Sequence, residues 1–108
     1  MIFPSGGSLY VSSANTDSVL RYDGATGAFI DMFVPTGSGG LLGPRGFRFA
    51  PDGHLYVASS ANDTVLRYDG TTGAFWGIFV TAGSGGLDGP TFLGFEPLAE
   101  DEREGLGP

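Results

Sequence analysis

Two glycine-rich stretches, PTGSGGLLG at 35–43 and TAGSGGLDG at 81–89, are where the chain first invites a chemical reading. A phosphate-cradling loop presents closely approachable backbone amides at the start of a helix. Here the spacing is G-x-G-x-x-x-G, not the dinucleotide pattern, and no helical period follows. Walker-type phosphate binding also needs a Lys, and the chain has none. The loops therefore read as connectors between the last strand of one unit and the first strand of the next. Ser38 and Ser84 lie inside them, but Thr36 and Ala82 stand where a G-x-S-x-G nucleophile elbow has its first Gly. His54, the sole His, follows a turn and is expected as an exposed residue at a strand start rather than a general base. No catalytic residue is assigned, and the expectation is a protein that is not an enzyme.

The remaining polar candidates are Asn15, Asp17, Asn62, Asp63 and Arg45. Asp17 and Asp63 fall in short turns between apolar runs, with Asn15 near one and Asn62 beside the other. Asn and Asp favour such turns because their side chains bond to their own backbone. That is the preferred reading, and contact with a ligand is the other. Calcium would want more carboxylates in one loop than either turn offers, so neither a metal nor a cofactor is expected. Arg45 and Arg48 open a strand, where a guanidinium could take an anionic group by a bidentate pair. Asp23 and Asp69 each precede a Gly and read as turn formers, while Arg21 and Arg67 are expected to satisfy neighbouring acids. Asn62-Asp63-Thr64 is formally a glycosylation acceptor.

The elements that must position these residues follow from composition and repetition. Among 108 residues there are 20 Gly and 7 Pro, which suits short strands joined by tight turns and opposes helices. Twelve acidic residues face five Arg, for a net charge of −7. Such a surface repels phosphate backbones and anionic lipid, so neither nucleic acid nor membrane is expected as a partner. There is no Cys, which excludes disulfides and thiolate metal sites. No apolar run has membrane-spanning length, no signal peptide is legible, and the compartment stays unassigned, extracytoplasmic if a leader lies upstream.

Residues 3–48 superimpose on 49–94 without a gap, with 26 identities in 46 positions. A third copy begins with GPTFLGFEP (89–97), which lies on GPRGFRFAP (43–51). A fixed period of this size marks solenoids, propellers or arrays. Each unit holds four short runs rich in Val, Leu, Tyr and Phe, seen in the second as RGFRFA (45–50), HLYVAS (54–59), TVLRYD (64–69) and AFWGIFV (74–80). Turn residues bound them, and Asp52-Gly53 suits a tight hairpin. The expectation is an all-β protein built of four-stranded antiparallel meanders. Leu55 and Val57 point to one side and Tyr56 and Ala58 to the other, while Phe75 and Phe79 oppose Trp76, Ile78 and Val80. Both sides are largely apolar, which predicts a sheet covered on both faces. Radially stacked β-propeller blades provide such cover.

The second unit resembles the NHL-type repeat of β-propellers. Matching positions are Pro44, Gly46, Asp52, Gly53, Tyr56, Val57, Asn62, Tyr68, Asp69 and Gly73; the first unit matches at Gly7, Tyr10, Val11, Tyr22, Asp23 and Gly27. Ser5 and Gly6 replace Pro51 and Asp52, and Ala58-Ser59 stands where the family often has Ala-Asp. The resemblance implies a first blade over 1–44 with a partial first strand and a second blade over 45–88. It further implies the inner strand of a third blade at 89–97; beyond the resemblance, 98–108 reads from its own residues as an acidic, disordered tail. Such propellers serve as protein-binding platforms, RNA binders, lyases and lactone hydrolases. The function expected is a non-catalytic binding scaffold for a protein or small molecule. The alternative is a fragment of a propeller lyase or lactone hydrolase whose catalytic residues lie on other blades. Closing the ring needs either further blades of a longer chain or self-association, and the start in mid-blade and the unrelated tail favour a fragment.

Overall fold

Strands form where β-branched and aromatic residues alternate between turns, and they collect into two antiparallel sheets. A computed structural model describes residues 7–96. The first sheet has the order β1-β2-β3, with β1 Ser8–Ser13, β2 Ser18–Asp23 and β3 Phe29–Val34. The second has the order β4-β5-β6-β7, with β4 Pro44–Phe49, β5 Leu55–Ser59, β6 Thr64–Tyr68 and β7 Phe75–Val80. Among the described residues the only helical pieces are single 3₁₀ turns at Ala14–Thr16, Ser38–Gly40, Ser60–Asn62 and Ser84–Gly86. No helix there is long and apolar enough to cross a membrane.

The turn chemistry follows the sequence. Gly53 takes φ 85° and donates its N–H to the Ala50 carbonyl at 2.9 Å, closing the β4–β5 hairpin. Asp23 Oδ1 accepts from the N–H groups of Ala25 and Thr26, and Asp69 Oδ1 from those of Thr71 and Thr72, all at 2.8–2.9 Å. These carboxylates nucleate matching turns at the same point of both units.

The sheets stack face to face. Val19, Phe33, Val34 and Leu41 of the first unit meet Leu55, Val57, Leu66 and Tyr68 of the second, with Tyr10 and Phe47 packed at the margin. Fully burying one such side chain contributes about 1.5–3 kcal/mol, so this layer dominates the stability. Every residue of β5 is buried, as two-sided apolar character predicts.

Among the described residues the first sheet has three strands, and the partial first strand expected for that unit falls outside them. Two expectations are corrected. The inner strand expected at 89–97 is not formed as a strand over 89–96; that segment is instead tied to β4, Gly46 N–H donating to the Thr91 carbonyl at 2.7 Å and Arg48 Nε to the Leu93 carbonyl at 3.2 Å. Finally, Phe75 and Phe79 do not share a face. A register shift between Arg67 and Tyr68 inserts an extra residue in β7, and an inserted residue reverses the alternation of side chains beyond it. Phe75 packs on Tyr68 with ring centroids 5.6 Å apart, while Phe79 packs on Tyr56 at 4.9 Å on the other face. Residues 1–6, residue 97 and the expected tail at 98–108 lie outside the described residues.

Candidate functional site

The polar candidates gather mainly around one glycine-rich loop. Asp17 closes the β1–β2 turn in the left-handed conformation at φ 53°, a region that Asp tolerates better than most side chains. Its carbonyl accepts the Gly37 N–H at 2.8 Å and its Oδ1 accepts the Gly43 N–H at 2.9 Å. Asp63 repeats this with φ 60°, its carbonyl accepting from Gly83 at 3.2 Å and its Oδ1 from Gly89 at 2.8 Å. Both carboxylates thus bind the backbone of the following loop, some 26 residues on, and not that of their own turn. The carboxylates expected to bond within their turns bond to distant amides instead, and nothing local in the sequence shows which distant amide reaches each carboxylate.

Asn62 ties the same loop from the second unit, donating from Nδ2 to the Gly40 carbonyl at 2.8 Å while its Oδ1 accepts from Thr64 Oγ1 at 2.8 Å. Asn15 sits exposed on the Ala14–Thr16 turn. Asn15, Asp17 and Asn62 therefore share one end of the molecule with loop 37–43, whereas Asp63 belongs to loop 83–89. Residues absent from the candidate set complete the grip on loop 37–43. Ser59 Oγ accepts the Leu42 N–H at 2.9 Å, the Tyr68 hydroxyl donates to the Ser38 carbonyl at 2.7 Å, and the Phe75 ring abuts Gly39. Ser59 and Tyr68 were visible in the sequence only through the resemblance, Tyr68 as a matching position and Ser59 where the family often has Asp.

Arg45 stands just beyond loop 37–43, on β4. With Gly46, Thr91 and Phe92 it lines an open cleft of about 430 Å³ between β4 and the 91–96 segment. The walls are mostly apolar, and Phe92 is 87% exposed. Gly46 is required here because a Cβ would strike the Thr91 carbonyl and the Phe92 backbone. The Arg45 carbonyl accepts from Ser12 Oγ, which ties β4 to the first sheet, and the residue itself is exposed. None of the four lining residues is a carboxylate, an imidazole or a thiol, and Arg45 is the one charged residue among them.

The strongest electrostatic features serve structure. Hydrogen bonds from the Thr26 and Ala25 N–H groups hold the Asp23 carboxyl below the usual range, and those from Thr72 and Thr71 do the same for Asp69. Asp52 is lowered by the His54 N–H and then by the Tyr56 hydroxyl, which donates to Oδ2 at 2.7 Å. Arg21 is raised by its bidentate pair with Asp31, at 2.7 and 3.0 Å. Arg67 departs from the expected pattern, because Gly77 occupies the place of Asp31 opposite it. Its guanidinium lies instead over the Trp76 and Phe79 rings, at 5.4 and 5.3 Å, a cation–π arrangement. His54 is also less exposed than expected, its ring set edge-on to Trp76 with centroids 4.2 Å apart. Among the described residues no three His, Cys, Asp or Glu converge as a metal site.

No family model matches the chain, and no curated protein matches it either.

Proposed function

We propose that the chain is a non-catalytic repeat scaffold, two β-propeller blades of the NHL type, which binds a protein or small ligand through the Arg45–Phe92 cleft and the neighbouring loop end. The 46-residue repeat, the meander order of the second sheet and the face-to-face stacking of equivalent units support the blade reading. The observation that carries the binding reading is the set of residues that line the cleft, with exposed Arg45 on one side and exposed Phe92 on the other. A guanidinium beside an apolar surface suits a carboxylate attached to an aromatic or aliphatic group. The carboxylates of Asp17 and Asp63, by contrast, are already engaged with loop amides, which makes them supports of the loop end rather than reacting groups.

The test is an NMR titration with benzoate, a minimal aromatic carboxylate. Saturable shifts of the Gly46 and Thr91 amides are expected, weakened at least tenfold in Arg45→Gln. Shifts that never saturate, or that survive the substitution unchanged, overturn the cleft as a binding site.

A further inference from the structure

The contact between the two sheets is a template with two unused halves. The first unit contributes Tyr10, Val19, Phe33, Leu41 and loop 37–43. The second receives them on Phe49, Leu55, Val57, Leu66, Tyr68 and Phe75. Because the units repeat every 46 residues, the second unit carries the contributing set again, as Tyr56, Val65, Phe79, Leu87 and loop 83–89. The first unit likewise carries the receiving set again, as Leu9, Val11, Leu20, Tyr22 and Phe29.

Both repeats are in place and, apart from Tyr56, which Phe79 and Phe95 cover, their apolar side chains are less buried than their counterparts. Phe33 is 4% exposed and its counterpart Phe79 is 52% exposed; Phe75 is 40% exposed and its counterpart Phe29 is 58% exposed. The second loop is already shaped for its task. Gly83, Gly85 and Gly86 take φ values of 72°, 65° and 91°, against 70°, 66° and 91° at Gly37, Gly39 and Gly40. A Cβ on Gly39 would enter the Phe75 ring and one on Gly73 would strike the Phe33 carbonyl, whereas Gly85 and Gly27, their counterparts, face open space. The edges match as well. The extended segment 91–96 is the counterpart of β4, and Phe95 packs on Tyr56 at 4.9 Å just as Phe49 packs on Tyr10 at 4.9 Å. Among the described residues that segment has no partner of the β5 kind, and β1 has a strand on one side only.

We propose that copies of this chain associate head to tail, loop 83–89, segment 91–96 and the Phe79 face of one copy docking on the β1 edge and the Phe29 face of the next. The occupant is a second copy because the surface that fits the Phe29 face is one the chain itself displays, in the conformation it uses internally. Such a heterologous contact closes into a ring or continues as a filament, depending on the rotation between units. Closure rests on the blade reading above, and two blades per copy then give rings of two to four copies.

Size-exclusion chromatography with light scattering on the 108-residue chain, at micromolar concentration, reads the mass. A discrete species of two, three or four times 11.1 kDa is expected. A complementation experiment reads the polarity. Phe29→Asp disables only the receiving face and Phe79→Asp only the contributing face, so each variant alone is a folded monomer and their equimolar mixture is a one-to-one dimer. Val11→Asp and Leu87→Asp replace them if circular dichroism shows either variant unfolded. A folded wild-type monomer, an unfolded chain, or a mixture that stays monomeric overturns the inference. One-to-one dimers from the variants together with open-ended growth of the wild type would instead uphold the contact and sink the radial blade geometry, so the two readings fail separately.

Discussion

At the residue scale, the polar side chains of this protein act mainly as backbone clamps. Asp17 shows why a carboxylate is used. It combines tolerance of positive φ with an acceptor that reaches the Gly43 amide across the turn. Asp17→Ala loses a hydrogen bond to a charged acceptor and puts in the left-handed region a residue that tolerates it less well than Asp, for an expected cost of about 2–3 kcal/mol. Asp17→Asn keeps an oxygen acceptor and the conformational tolerance, so its cost should stay below about 1 kcal/mol. Urea denaturation of the two variants measures the difference, and equal losses would show that the Gly43 contact does not contribute. The turn-forming role of Asp17 was legible from its flanking apolar runs. Its partner was not, because a contact over 26 residues depends on where the following strand returns.

At the element scale, loop 37–43 is the connector that fastens one sheet to the next. The two glycine-rich loops have nearly the same backbone, so substitutions at equivalent positions separate intrinsic strain from docking. Gly85→Ala meets only the left-handed penalty of about 1–2 kcal/mol, since a Cβ there touches nothing. Gly39→Ala adds displacement of the Phe75 ring, and an off-rotamer ring with lost packing adds about 1–3 kcal/mol. Thermal melts of both variants, made in the Phe29→Asp background so that only single chains are compared, should place Gly39→Ala clearly lower. Coincident melts would mean that the loop does not bear on Phe75. These loops are legible in the sequence as connectors. The four strands of the second unit lie within a residue or two of their expected bounds, whereas the run expected at 89–97 forms no strand over 89–96. The reversal between Phe75 and Phe79 was not legible, because a bulge depends on how β7 pairs with β6 and leaves no mark in strict alternation.

On the scale of the whole molecule, Tyr68 couples the sheets. Its ring is buried in the shared core and its hydroxyl donates to Ser38 across the interface. Burial pushes the phenol well above its ordinary value, since the ionised form would lose its hydration. The unfolded chain therefore releases this proton first, near pH 10. The neutral phenol contributes its full stability below that pH, and the contribution is lost as pH rises toward the folded-state value, with a slope of about 1.4 kcal/mol per pH unit. Chemical denaturation across alkaline pH should show this loss. Tyr68→Phe should flatten it at a cost near neutrality of about 1 kcal/mol for the missing hydrogen bond. An unchanged slope in the variant would show that Tyr68 does not govern alkaline stability.

Repetition, composition and turn chemistry by themselves determined the all-β class, the two equivalent units and the positions of the tight turns. These are local properties: a Gly at positive φ or an Asp before a turn acts within a few residues, and alternation of apolar side chains is written along the strand. Tertiary structure alone decided which amides Asp17 and Asp63 hold, that Arg67 sits over aromatic rings where Arg21 has Asp31, and that Arg45 meets Phe92 across an open cleft. It also decided which of two nearly identical faces is covered. Equivalent residues in the two units have the same local instructions, and only the neighbour that each unit meets in space makes Phe33 core and leaves Phe79 exposed.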